Sequence, residues 1–399
     1  MSLKCIGNQD LEQIVKFLEN VFHLEKLDLG NNILRDECCS SLFQLLKHSP
    51  FLSTLVLRRN DIKAAGVAKL FEGLSEFGEV NCLDISNLEF SVQSIKSLNC
   101  FFLKRDNLKK LYMEDCKFKK DEIKIFAEGI CTSKSLEILS FSRTQMNKDI
   151  FETFFESFKK NESVKTLQLG LCGIGDEGTK LLAEAIRENN SLTSVDIQAN
   201  KIGDEGMLAF FKAIKGNMKM EEIKIGANQF TENSFRVLCE MISGPCALRR
   251  LDLYNIRIAS FSLFLRSLSE NRSIISLNIS QNNCVTAEEL SDCISQNSVL
   301  RSLVFSNNSL PKLGGEHFVR ALTSNKSLTF LDLSGNRFAA ENWQMISERV
   351  ERNKFVFEYY LGIKTAMMML QRRKDGNLVS RIPRRLLIHL LQFLQEFDT

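Results

Sequence analysis

The chain has 399 residues, 44% of them apolar and 25% charged, with a formal net charge of +3. That balance gives no global argument for a nucleic-acid partner, and none is expected. No apolar stretch reaches the ~18 residues that a membrane-spanning helix needs.

Residues 1–23 carry the first predicted element. Leu11, Ile14, Val15 and Leu18 fall on one helical stripe. The segment reads as the tail of a preceding repeat that caps an open N-terminal end. The opening MSLKCIGNQD shows no basic start followed by an apolar run, so no secretory signal is read there and the cytosol is the expected compartment.

From Leu24 a unit recurs. Its central apolar residue falls at Leu27, Leu55, Leu83, Leu111, Leu139, Leu167, Val195, Ile223 and Leu251, at a constant step of 28 residues. Two 26-residue steps lead to Leu277 and Leu303, and a last step of 28 to Leu331, giving twelve copies that end near Asn353. Such a period predicts a stacked solenoid over residues 24–353.

The clearest copy is Val164 to Asn190. Thr166 and Gln168 alternate with Leu167 and Leu169, the period of a short half-buried strand. Cys172 and Ile174 then turn inward, and Gly173 and Gly175 loosen the backbone. Asp176 is positioned to cap a helix whose apolar positions are Leu181, Leu182, Ala185 and Ile186.

This unit resembles the leucine-rich repeat family, in particular its ribonuclease-inhibitor-like class. It is similar to the repeat domains of NOD-like receptors and to bacterial leucine-rich repeat effectors. The signature L-x-x-L-x-L-x-x-(N/C)-x-L is complete at Leu24–Leu34, Leu52–Ile62, Leu192–Ile202 (with Val195), Leu300–Leu310 and Leu328–Phe338. Cys116 and Cys172 occupy its Asn/Cys position, whereas Leu88, Thr144 and Ile256 depart from it. Local irregularity is expected at those three.

The resemblance implies an α/β solenoid of about twelve 26–28-residue repeats, a horseshoe with a concave parallel β-sheet and outer α-helices. Strands pack about 4.8 Å apart and helices about 10 Å apart, so stacking one of each per repeat forces the curvature. Twelve strands give an inner arc on the order of 58 Å.

The twelve cysteines are scattered without C-x-x-C spacing, which suits buried, reduced thiols. Of adjacent Cys38 and Cys39, one is expected to face solvent. The sequons at Asn161, Asn189, Asn271 and Asn325 share one point of the repeat, so repeat grammar explains them better than glycosylation does. The four histidines, His23, His48, His317 and His389, lack metal-ligand spacing. Asp176-Glu177 and Asp204-Glu205 look like acid pairs but recur with the repeat, at helix N-termini where negative charge is favoured. No nucleophile, base and orienting group come together, so neither catalysis nor a cofactor is expected.

Beyond the repeats, residues 354–399 read as a C-terminal cap. Phe355, Phe357, Tyr359 and Tyr360 are expected to cover the last repeat. Seven basic residues follow between Lys364 and Arg385. Ile382 and Pro383 then open a helix with Leu386, Leu387, Leu390, Leu391, Phe393 and Leu394 on its apolar face, which suits packing on the solenoid end, binding a partner or lying on an anionic membrane surface.

Function is expected on the outward positions of the concave strands. Tyrosine and arginine anchor protein interfaces most often. The candidates are Arg58, Tyr112, Glu114, Arg143, Lys224, Arg250 and Tyr254. The resemblance implies a non-catalytic interaction module of adaptor, inhibitor or bacterial effector type. It would act as a monomer on a protein partner in the cytoplasm, or in host cytosol for a secreted effector. Alternatives are regulation of a small GTPase, as in the Ran GTPase-activating type, or a membrane-surface scaffold held by the C-terminal amphipathic helix.

Overall fold

The computed structural model describes residues 5–18, 23–256, 258–283 and 285–372, with side chains as far as 361 except that of 360. The side chains of the basic segment from Lys364, and the expected helix from Ile382, lie outside the described residues.

A helix at Asn8–Leu18 (α1) precedes the first strand. Twelve three-residue strands follow. The first six are Lys26–Asp28 (β1), Thr54–Val56 (β2), Cys82–Asp84 (β3), Lys110–Tyr112 (β4), Ile138–Ser140 (β5) and Thr166–Gln168 (β6). The rest are Ser194–Asp196 (β7), Glu222–Lys224 (β8), Arg250–Asp252 (β9), Ser276–Asn278 (β10), Ser302–Val304 (β11) and Phe330–Asp332 (β12). A helix follows each strand. Those that bear on the site are Cys38–His48 (α2), Ala64–Phe77 (α3), Gly175–Glu188 (α7), Asp204–Ile214 (α8) and Glu232–Ser243 (α9). The last is Ala340–Arg372 (α13).

All twelve strands pair in parallel, in chain order, in one sheet. Leu27 faces Leu55, Leu83 faces Leu111, and Leu303 faces Leu331. That apolar column fixes the register, because a slip of one residue would turn it to solvent. The core lies between sheet and helices and is rich in phenylalanine. Phe141 is fully buried and meets Phe118, Phe126 and Phe154 edge-on, at 5.5 to 5.7 Å.

Every strand is left through one residue in the left-handed region: Asn31, Arg59, Asn87, Asp115, Arg143, Leu171, Ala199, Ala227, Asn255, Gln281, Asn307 and Gly335, with φ between 48° and 72°. Gly and Asn suit that conformation; the other side chains are strained there.

An asparagine follows in most repeats. The Asn200 carboxamide oxygen accepts from the Cys172 and Gly173 N–H groups, both at 2.8 Å, and its Nδ2 donates to the Leu169 carbonyl at 2.8 Å. Thr144 was expected to break this pattern and instead sustains it. Its hydroxyl accepts from the Cys116 N–H at 3.3 Å and donates to the Met113 carbonyl at 3.2 Å. Leu88 and Ile256 are buried in the same place and leave the sheet register intact.

A second asparagine ladder lies at the helix C-termini. Nδ2 of Asn189 donates to the Phe158 and Asn161 carbonyls, and that of Asn325 to the Ile294 and Asn297 carbonyls. These buried amides are the sequon asparagines, and their nitrogens are occupied by the fold.

Two expectations are corrected at the helices. Asp176 does not cap its own helix, α7. Its carboxylate accepts from the Gly203 N–H at 2.7 Å and the Gly206 N–H at 3.0 Å, at the start of α8. Asp204 likewise takes the Thr231 and Ser234 N–H groups of α9, and Asp36 the Lys63 N–H before α3. Cys38 and Cys39 are both buried, at 1% and 5% exposure. A stacked helix touches the core beneath it and a neighbour on each side, so adjacent residues are both covered; the Cys39 thiol donates to the Gly66 carbonyl of α3 at 3.1 Å.

The ends differ. α1 packs on α2 with Leu11 and Val15 buried, and Ile33 N–H donates to the Ile6 carbonyl. At the other end α13 runs on through residue 353. Phe355 and Tyr359 do not cover the last repeat as expected. They stack on each other and stay 71% and 57% exposed. The face of α13 that meets the solenoid carries Ile346, Val350 and Asn353 instead. Residues 355 and 359 share a different face, because 100° per residue separates these stripes. Phe357 sits under the Arg301 guanidinium, 4.1 Å from its ring centre.

Candidate functional site

The concave face is set by the strand alternation. First and third strand residues point outward, and two residues further on the chain is still at the rim. Along this face the seven candidates separate into two groups.

The first group lies on β2 to β5 and the turns that leave them. Arg58, Tyr112, Glu114 and Arg143 line one depression of about 570 Å³, together with Lys26, Thr54, Val56, Arg59, Cys82, Asp84 and Asp115. Arg58 reaches Asp84 at 3.6 Å. Glu114 accepts from the Ser140 hydroxyl at 2.7 Å, and Asp115 from the Asn87 amide at 3.1 Å. Tyr112 is half-buried, and burial holds its phenol above the usual range; burial does the same to the Cys82 thiol beside it. Both groups are therefore neutral near pH 7, and the tyrosine offers a ring face and a hydrogen-bonding hydroxyl.

The second group lies on β8 and β9. Glu222 binds Arg250 at 2.9 Å and Lys224 at 3.6 Å, so these charges satisfy one another. Tyr254 leans over Gly226, where any Cβ would collide with its ring. Four strand spacings separate β4 from β8, about 19 Å, so the two groups do not form one patch.

Sequence reading missed Arg59. It follows Arg58 in the left-handed position and borders the same depression. It also missed that the third-position acids are tied to backbone. Asp28, Asp84, Asp196, Asp252 and Asp332 each accept from the N–H two residues on. The D-x-x spacing at each strand end was the available signal. Burial pushes the Asp196 carboxyl up, against the pull of the Gln198 N–H.

Among the described residues no three His, Cys, Asp or Glu side chains converge to hold a metal ion. No described helix is long and apolar enough to cross a membrane. The arrangement offers extended, shallow contact: one tyrosine face, several guanidinium and ammonium groups, and backbone-tethered acids.

The family model described as the TMOD/LMOD leucine-rich domain matches residues 142–244. One described as leucine-rich repeat matches residues 48–71 and 324–341. No curated protein matches the chain. Among solved structures it is similar to an internalin (inlF) of Listeria monocytogenes, at 16% identity and a TM-score of 0.43, over 85% of this chain and 86% of that one. Each repeat places a three-residue strand, a left-handed exit and a helix at the same points of its sequence, and the matched family models describe that unit: the chain is a leucine-rich repeat protein.

Proposed function

We propose that the chain is a non-catalytic interaction module, of adaptor, inhibitor or effector type, whose concave face holds a protein partner. The observation that carries this reading is the depression across β2 to β5. It groups Tyr112 with Arg58, Glu114 and Arg143 on a rigid sheet. Solenoids of this kind present extended concave surfaces for binding. Tyrosine and arginine at the centre of such a surface are the residue types whose loss most often abolishes an interface. The helix in each repeat and the 26–28-residue steps support placement in the ribonuclease-inhibitor-like class.

The test is affinity capture from eukaryotic cytosolic lysate, followed by calorimetry with the recombinant partner. Baits are the intact chain, a chain ending at Asp375, and Tyr112→Ala. Loss of at least about 2 kcal/mol of binding in Tyr112→Ala alone, with folding unchanged, supports the reading. A partner lost only on truncation moves the function to the C-terminal segment and sinks the concave-face reading.

A further inference from the structure

The depression on β2 to β5 has an uneven supply of hydrogen-bond partners. Its acids are occupied: Asp84 by the Ser86 N–H and Arg58, Glu114 by the Ser140 hydroxyl, and Asp115 by the Asn87 amide. Three exposed cations that line it, Lys26, Arg59 and Arg143, and exposed Lys110, beside Cys82 on the neighbouring strand, have no ion-pair partner among the described residues. On β8 and β9 the charges pair with each other instead. The unused donors are therefore concentrated at one end of the concave face.

Their placement is regular. Lys26 and Lys110 share the first-position column of the sheet, three strands apart. Arg59 and Arg143 share the left-handed exit position, also three strands apart. Three spacings are about 14 Å, which is roughly four residues of extended chain. Val56 and Tyr112, at third strand positions, lie between the two columns, and Cys82 lies in the first.

The two arginines also stand where the backbone disfavours them. Arg59 has φ 53° and Arg143 φ 65°, at the position that other repeats fill with Asn or Gly (Asn31, Asn87, Asn255, Asn307, Gly335) or with Asp115, Leu171, Ala199, Ala227 or Gln281.

We infer that this end of the concave face recognises an extended acidic peptide segment of its partner, with carboxylates four residues apart and an apolar side chain between them. The inference rests on the concave-face reading and names the chemistry it selects. The carboxylates meet Arg59 and Arg143, with Lys26 and Lys110 in the parallel column across the depression, and the apolar residue covers the Tyr112 ring.

The probe is a fluorescein-labelled synthetic peptide with glutamates at its first and fifth positions flanking a central phenylalanine. A matched peptide carries lysines in place of the glutamates. Anisotropy with the full chain is read at about 0.05 M and about 0.5 M salt. The acidic peptide should bind, lose affinity with salt, and lose about tenfold or more in the Arg59→Asn/Arg143→Asn double variant. That variant should keep or raise the thermal midpoint, because asparagine relieves the left-handed strain.

Equal binding of the two peptides, or wild-type affinity in the double variant, overturns the inference. So does a fall in the thermal midpoint that parallels the loss of binding, since the arginines would then be structural. A captured partner lost from Tyr112→Ala but indifferent to Arg59→Asn/Arg143→Asn would leave the concave-face reading standing and remove only the acidic segment.

Discussion

Two stretches of the solenoid hold the same turn by different chemistry. Around β6 to β8, Asn200 and Asn228 tie each turn to its neighbours through buried amides. Around β3 to β5, the same place holds Leu88, Cys116 and Thr144. There the hydroxyl and thiol make fewer bonds, and phenylalanines fill the space: Phe90 on Phe118, and Phe118 on Phe141. The register runs unbroken through both. The fold therefore requires that the turn be anchored, and either polar satisfaction or aromatic packing supplies the anchor.

The strongest break of this comparison is Phe141→Ala. It empties the centre of the phenylalanine cluster and should cost about 3–5 kcal/mol, read as a lowered urea midpoint. A loss below 1 kcal/mol, about the value of an ordinary surface site, would remove the aromatic half of the account.

Next is Asn200→Ala, which strands the Cys172, Gly173 and Ile174 N–H groups and the Leu169 carbonyl. At about 1–3 kcal/mol for each buried unsatisfied group, softened by local relaxation, roughly 2–4 kcal/mol should be lost. Thr144→Val in the other stretch strands the Cys116 N–H and the Met113 carbonyl and should cost less, about 1–2 kcal/mol after relaxation, with faster amide exchange at Cys116. Equal losses at the two sites would mean that the ladders do not differ.

The smallest effect is at a cap. Asp204→Ala should cost about 1–2 kcal/mol. Burial pushes the Asp204 carboxyl up, but donors from Thr231 and Ser234 outweigh it and hold the group below the usual carboxylate range. Its stabilisation is thus complete above the unfolded value of about 3.9 and is lost as pH falls through the folded one. The gap between wild type and variant should narrow in acid. A gap that stays constant from neutral pH to about pH 3 would show that charge plays no part.

All twelve strand centres were legible in the sequence, because the leucine column is both the repeat signal and the buried side of the sheet. The candidates on β2 to β5 were legible as outward residues, and their grouping with Arg59 was not. Periodicity records that a residue recurs; it does not record which repeat its side chain addresses. Asp176 could be read as a capping residue, yet its targets, Gly203 and Gly206, belong to the following helix. Thr144 could be read as a departure from the signature, while its two bonds depend on carbonyl and amide positions that only the stacked backbone supplies.

Those links have a bearing on length. Aspartates reach forward to the next helix, and asparagine amides reach back to the previous turn. A cut after the first, sixth or seventh repeat severs one bond of each kind. Removing one full 28-residue unit rejoins a forward donor site to a waiting acceptor and a backward amide to a waiting carbonyl. Removing a shorter piece rejoins neither. The molecule can therefore grow or shrink only in whole steps, like a chain of links rather than a rope.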